Sequence, residues 1–300
     1  MAINCKRVFG VLMMALAPGL ALATLVRFDT AKGPIDINLY DAEVPLTVAN
    51  FLSYVRQGDY TNTFFHRSVS LAVGGIGIIQ GGGFTWNSAA SPMLASIPAK
   101  PAIVLEASSQ RLNARGTIAM ARTAVQNSAT SQWFINYADN STSLGVANGG
   151  GYAVFGRVTP PSMVTVDGVA ALPTQDVSRC AGYGAFAGLP LLSRITLCSE
   201  VSRTTLSMVN AARVLPAAAT LTATERVLNY LEAAYPQYVQ PASPPQLIGL
   251  GYDYRYYEKT NAYVGTKDGN VYYLVPAISP DITLLGPLAD WLAVAVAAGY

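Results

Sequence analysis

FFHRSVSLAVGGIGIIQGGGF, residues 64–84, carries the only histidine of the 300-residue chain, one arginine and six glycines in an otherwise apolar setting. Four readings compete for such a stretch: a phosphate-cradling loop, a membrane-inserting segment, a hydrolase site built on a lone base, or a groove that needs none of these. The glycines do not spell GxxxxGKS or GxxxxGKT, and no lysine follows them. The GxGxxG pattern fails as well, because Gly75 and Gly77 are followed at the required place by Gln80. The run LAVGGIGII is too short and too rich in glycine to span a bilayer. A serine hydrolase would have to recruit His66, yet no GxSxG elbow occurs in the chain. A histidine between Phe65 and Arg67 in an apolar run reads as a hydrogen-bonded core residue. Asp36, Asp41 and Glu43 lie around a hairpin and a helix start, where turn and capping roles suffice. Nucleophile, phosphate loop and paired catalytic carboxylates therefore drop out.

Outward from this stretch, the pattern is mainly β. LVRFDT and PIDINLY alternate apolar and polar residues around 31–33, which predicts a hairpin. Pro45 opens a predicted helix whose stripe is Val48, Phe51, Leu52 and Val55, and Gly58 closes it. FFHR and IIQGGGF read as two successive strands with SLAVGG as a surface loop between them. Further strands are predicted within 116–122, 133–137 and 153–158. Short strands and few helices imply a closed or sandwiched antiparallel sheet. Hydrophobic residues make up 51% and charged residues 12% of the chain, enough apolar material for a sizeable core. A net charge of +2 without a basic cluster argues against nucleic acid as a partner.

The ends differ from the middle. Lys6 and Arg7 precede VFGVLMMALA, then Pro18-Gly19 and Ala21-Leu22-Ala23, a secretory signal over 1–23 with cleavage after Ala23. A buried N-terminal helix is the alternative. No later segment has the uninterrupted apolar length of a transmembrane helix. The expectation is a soluble exported protein, periplasmic or secreted. Cys180 and Cys198 then remain as an even pair in an oxidising compartment, candidates for a disulfide, with two free thiols the alternative. Their spacing fits no zinc site, so no metal is expected. Segment 201–221, rich in Ser, Thr and Ala, reads as a linker. Residues 222–300 read as a small α+β domain: a helix begun by the Thr222/Glu225 capping box, three strands with a hairpin at 267–270, and a helix from Pro287. Eleven of the seventeen tyrosines follow residue 229, which sets this domain apart in composition. Tyr252, Tyr254 and Tyr256 share a strand face. That face either packs as core against the helices or, exposed, binds glycan or peptide, with a cell-envelope ligand as the partner in the second case.

One reaction needs neither nucleophile nor cofactor. Rotation about an Xaa-Pro bond is slow because the amide C–N bond has double-bond character, with a barrier of roughly 18–20 kcal/mol. Holding the proline in an apolar pocket and aiming a fixed donor at its nitrogen lowers that barrier. The stretches FFHR (64–67), IQGGGF (79–84), RGTIAMART (115–123), NSATSQWFIN (127–136) and GYAVFGRV (151–158) resemble, in order and spacing, the cyclophilin-type peptidyl-prolyl isomerases, the bacterial exported members in particular. The resemblance covers roughly residues 25–200. It implies an eight-stranded antiparallel β-barrel capped by two helices over 24–200, no cofactor, and proline-containing peptides and unfolded exported proteins as partners. By position, Arg67 falls on the catalytic arginine, Gln80 on the glutamine that orients it, and Phe134 on the floor of the proline pocket. Ile78 and Leu144 fall on its walls. Ala121, Arg122 and Gln132 line the peptide groove, the backbone of the first two holding the substrate main chain, and Tyr152 takes a groove position that varies in the family. His66 is structural. Departures are Gly77 and Ser143, which stand where the family has aromatic walls, and a longer 68–77 segment. These predict a shallower pocket and reduced activity, and keep open a non-catalytic peptide-binding or chaperone module as the alternative.

Overall fold

The computed structural model describes residues 23–88, 94–181, 184–239 and 244–300. The segment 1–22, expected to be most of the export signal, lies outside the described residues. The hairpin forms as expected: β1 Leu25–Thr30 pairs with β2 Gly33–Leu39. Helix α1 Pro45–Gln57 starts with proline at its first turn, where a missing N–H costs nothing, and ends on Gly58 at φ 76°, a left-handed cap suited to glycine. Its buried face carries Phe51 onto Phe28 and Phe155, and Phe28 stacks on Trp133 at 4.7 Å, so aromatic rings fill the centre of the main core.

The next strands are short: β3 Thr63–Phe64, β4 Arg67–Val69, then a one-turn helix α2 Leu71–Gly74, β5 Ile78–Gly81, β6 Phe84–Trp86 and β7 Leu94–Ser96. After them come β8 Thr117–Met120, β9 Trp133–Asn136, β10 Val154–Val158 and helix α3 Met163–Ala170. A two-residue ladder joins β11 Thr174–Gln175 to β12 Leu189–Pro190, with α4 Ser178–Ala181 between them. A disulfide links Cys180 in α4 to Cys198. Strand β13 Met208–Val214 follows.

The other eleven strands form one antiparallel sheet, in the order β4-β5-β9-β8-β10-β2-β1-β13-β3-β6-β7. The expected closed eight-stranded barrel is corrected: the sheet is a curled, open half-barrel flanked by α1 and α3. The count rises because long runs break where the chain changes partner. Within FFHR, Phe65 N donates to Ser207 O while His66 N donates to Gln80 O, so β3 joins β13 and β4 joins β5. SLAVGG is not a plain loop but contains α2, with Leu71 and Val73 exposed. The expected linker 201–221 is corrected too. Its residues 208–214 are β13, set between β1 and β3, with Val26 opposite Val214 and Met208 opposite Phe64.

The C-terminal half comprises α5 Ala223–Ala234, strands β14 Gln246–Gly249, β15 Tyr252–Tyr257, β16 Ala262–Lys267, β17 Asn270–Leu274 and β18 Thr283–Pro287, and α6 Leu288–Ala297. The capping box forms, Glu225 N donating to Thr222 Oγ1 and Thr222 N to Glu225 Oε2. Asp268 and Gly269, both at positive φ, make the tight turn between β16 and β17. The five strands pair in chain order, and both helices lie on one face of the sheet. Tyr257, Val264 and Val271 point into that helix-covered core. Tyr252, Tyr254 and Tyr256 therefore lie on the opposite, open face, and their expected role as core against the helices is overturned. No helix among the described residues is long and apolar enough to cross a membrane.

The two halves meet through buried charge. Arg27 of β1 has no exposed surface and grips Asp36 of β2 with two hydrogen bonds, Nε to Oδ1 at 2.6 Å and Nη2 to Oδ2 at 2.7 Å. Its Nη2 also donates to Asn229 O in α5, and its Nη1 to Glu232. Glu232, itself fully buried, accepts from Arg255 Nη1 and Tyr257 OH, both at 2.8 Å. Tyr300 OH donates to Asp36 and lies 3.0 Å from Thr159 Oγ1. Arg27 with Asp36 and Arg255 with Glu232 are pairs within one half, while Arg27 to Glu232 and Tyr300 to Asp36 cross between the halves, so this network fixes how they fit rather than adding much attraction.

Candidate active site

The antiparallel registers assemble the site. Arg67 on β4 lies opposite Gln80 on β5, Gln80 opposite Phe134 on β9, and Phe134 opposite Ala119 on β8. Four neighbouring strands thus place one residue each in a single row across the sheet. Side chains in such a row share a face, because each step crosses the ladder without shifting along it. Arg67 Nη1 donates to Gln80 Oε1 at 3.3 Å, and Gln80 Nε2 donates to Gln132 Oε1 at 2.8 Å. The relay orients the exposed guanidinium, and no carboxylate lies in salt-bridge range of it among the described residues.

His66, next in sequence, points inward. It is buried edge-to-face against Phe84 at 4.9 Å. Burial drives its pKa down to about 3, only partly opposed by a hydrogen bond with Gln132, while the charge of Arg67 lowers it further. The imidazole is therefore neutral near pH 7 and serves as packing.

From the same row, Phe134 and Ala119 join Ile78, Leu144 and Val154 in a buried apolar cluster, with Ala121 and Tyr152 partly buried against it. The Tyr152 ring stands edge-on to Phe134, 5.3 Å between centroids. Leu144 is anchored at both backbone ends: its N–H donates to Asn140 O and its carbonyl accepts from Asn113 Nδ2. A chain of buried amides, Asn140 to Asn136 to Thr117, backs that anchor. Among the residues expected to line the site, Arg67, Gln80, Gln132, Phe134, Ile78, Leu144, Ala121 and Tyr152 converge on this region.

The Ala121 N–H donates to Gln132 O within the protein. The Arg122 side chain turns back onto the loop at 149–151. It donates to Gly151 O at 2.8 Å, Gly149 O at 2.7 Å and Thr123 O at 2.9 Å, and lies over the Tyr152 ring at 4.8 Å. All three glycines have positive φ, so the loop takes a path that other residues strain to follow.

The departures at 77 and 143 also take physical form. Gly77 N donates to Asn140 Oδ1, and Gly77 O accepts from Tyr137 N and Asn140 Nδ2. A Cβ on Gly77 would lie 2.6 Å from Ala138 Cβ, so the backbone here is packed too closely for any side chain. Val69 and Ile76 pack on the cluster in its neighbourhood, residues that the sequence reading did not select. Ser143 is exposed. Among the described residues no group of three His, Cys, Asp or Glu side chains is placed to hold a metal ion.

The site is thus a curled antiparallel sheet bearing an oriented arginine beside an apolar pocket. Comparison with known proteins gives the family. The model of the cyclophilin type peptidyl-prolyl cis-trans isomerases matches residues 25–182. A peptidyl-prolyl cis-trans isomerase of Acinetobacter baylyi is 43% identical over 186 residues, 62% of this chain and 89% of the relative. The isomerase cyp18 of Streptomyces antibioticus is 45% identical over 153 residues, 50% of this chain and 84% of the relative. A crystal structure of a Cryptosporidium parvum cyclophilin type isomerase, obtained in the presence of the dipeptide Ala-Pro, covers 64% of this chain and 99% of its own at 22% identity, with a TM-score of 0.45. The chain belongs to the cyclophilin-type peptidyl-prolyl cis-trans isomerase family, and its residues from 183 onward lie beyond the matched region.

Proposed function

We propose that the chain is an exported isomerase that speeds rotation about Xaa-Pro bonds of client proteins through Arg67. The observation that carries this reading is the Arg67, Gln80 and Gln132 relay standing in register beside the Phe134 pocket. A proline ring seated on Phe134 between Ile78, Leu144 and Tyr152 holds one side of the bond still. Twisting the other side breaks amide conjugation and leaves a lone pair on the prolyl nitrogen. Arg67 meets that lone pair with a donor that cannot lose its proton and whose direction Gln80 fixes. Turnover at an ordinary enzymatic rate requires about 4–7 kcal/mol of barrier lowering, and one preorganised donor supplies roughly 3–4 kcal/mol of it. No proton is transferred, which accords with a histidine kept neutral by burial.

Export is supported by the charged-then-apolar start of the sequence and by the Cys180 to Cys198 disulfide, a bond that persists in oxidising compartments. The clients are then unfolded exported chains. Refolding of a reduced-rate, proline-limited protein in the presence of this chain tests the activity. A burst of faster refolding at substoichiometric enzyme supports it, whereas delayed aggregation with an unchanged slow phase favours the non-catalytic module. Mass analysis of the protein recovered from its host tests export, and a mature chain retaining Met1 contradicts it.

A further inference from the structure

The open face of the C-terminal sheet lies outside the isomerase site. Tyr252, Tyr254, Tyr263 and Tyr272 wall a mostly apolar basin of about 320 Å³ that Leu250 and Leu274 complete. The rings are set against one another, Tyr252 edge-on to Tyr272 at 5.4 Å and Tyr254 tilted to Tyr263 at 6.1 Å. Gly265 makes this packing feasible: a Cβ there would come within 2.5 Å of Tyr254 Cβ.

The basin borders an unguarded strand edge. Strand β14 ends the five-stranded sheet, and among the described residues nothing pairs with its outer side. An edge strand in water normally carries charge, proline or a bulge that prevents another chain from adding to it. Here 246–251 reads QLIGLG, without a charged residue. Ile248 is 86% exposed and Leu250 92% exposed. Leu250 also sits at φ 53°, a left-handed position that a leucine occupies at a cost. Lys267 steadies that turn, its ammonium donating to Leu250 O and lying over the Tyr252 ring.

The geometry points to an extended, uncharged and apolar segment of unfolded polypeptide as the ligand, added as a sixth strand along β14. Alternate residues of β14 turn their N–H and C=O outward and supply main-chain hydrogen bonds to any sequence. Every second side chain of the incoming strand faces the tyrosine basin, the usual division between affinity and selectivity in strand addition. β14 itself carries no charged residue to pair with a charged segment. The proposal uses the isomerase reading in one respect: the same unfolded chains are its substrates. The buried network between the halves makes the two sites parts of one body, so a client held on β14 presents its prolines at raised local concentration.

The test uses the full chain and a labelled, proline-free decapeptide alternating Val and Thr with blocked, uncharged ends. Expected are saturable binding, slower hydrogen exchange of β14 amides in the complex, and at least tenfold weaker binding in Ile248→Lys and in Tyr254→Ala. Both variants should isomerise a short Xaa-Pro peptide like the parent, because neither residue belongs to that site. Because the probe lacks proline, failure of the isomerase reading would leave this result intact. The proposal is overturned by exchange protection elsewhere than β14, by binding unchanged in both variants, or by sedimentation showing a second copy of the chain on that edge. Retention of the protein on cell-wall glycan with no affinity for the peptide overturns it as well.

Discussion

Replacing Glu232 by alanine should destabilise both halves of the molecule at once. The carboxylate has no exposed surface and accepts from Arg27 Nη1, Arg255 Nη1 and Tyr257 OH. Without it Arg27 keeps Asp36 and Arg255 keeps Asn229 Oδ1, so neither guanidinium is wholly unpaired, but two buried positive charges then face one carboxylate. Breaking a buried ion pair from one side costs about 3–5 kcal/mol, a large share of the roughly 5–15 kcal/mol that holds a folded domain together. Because β1 belongs to one core and α5 and β15 to the other, the loss is shared. Trp133 reports on the first core and Trp291 on the second. Urea unfolding of variants that retain one of these tryptophans should give coincident transitions, both moved to lower urea by Glu232→Ala. A change below about 1 kcal/mol, or a shift of the Trp291 transition alone, would refute the view of the network as a joint shared by two cores.

Other outcomes follow from the same contacts. His66 has a folded pKa of about 3 against about 6.5 when unfolded, so the unfolded chain binds the extra proton between these values. Stability should therefore fall with pH, by about 2 kcal/mol from pH 7 to 5, and His66→Gln should remove that share of the slope in urea titrations at the two pH values. Arg122→Met releases the Gly149 and Gly151 carbonyls and the Tyr152 ring, and should lower kcat/KM on a short Xaa-Pro peptide about 5- to 30-fold, mainly through KM. Arg122→Lys should not restore it, since one ammonium cannot replace the planar fork. A fragment of residues 24–203 lacks β13 and leaves β1 and β3 unpaired on one side. It should show no cooperative unfolding by near-UV circular dichroism, whereas 24–216 should.

Local signals carried much of the fold. Proline and glycine bracket α1, the β1–β2 alternation is intact in sequence, and the capping box marks α5 to within a residue. The row of Arg67, Gln80 and Phe134 was legible through motifs that each sit on one strand. Strand β13 was not, because its segment is short of strong β-formers and its partner β1 lies far back in the chain, so pairing rather than propensity makes it a strand. Strands β14 and β18 are short, and the second ends in Gly-Pro, which reads as a loop. For β15, period two separates Tyr252 and Tyr254 from Arg255 and Tyr257 but cannot say which face meets the helices. Glu232 decides that, by binding Arg255 and Tyr257 from α5. The Arg122 clamp likewise depends on a loop 27 residues further on, Gly149, and no local pattern fixes that contact.

On the proposed mechanism Arg67 lowers the barrier to prolyl rotation. Exchange NMR on a short Xaa-Pro peptide with the full chain, beside Arg67→Ala, measures this. The expected result is fast cis-trans exchange that falls about 100- to 1,000-fold in the variant while peptide binding changes far less, the loss of one preorganised donor. Equal exchange in the two proteins, or binding by the parent with no acceleration, would contradict it.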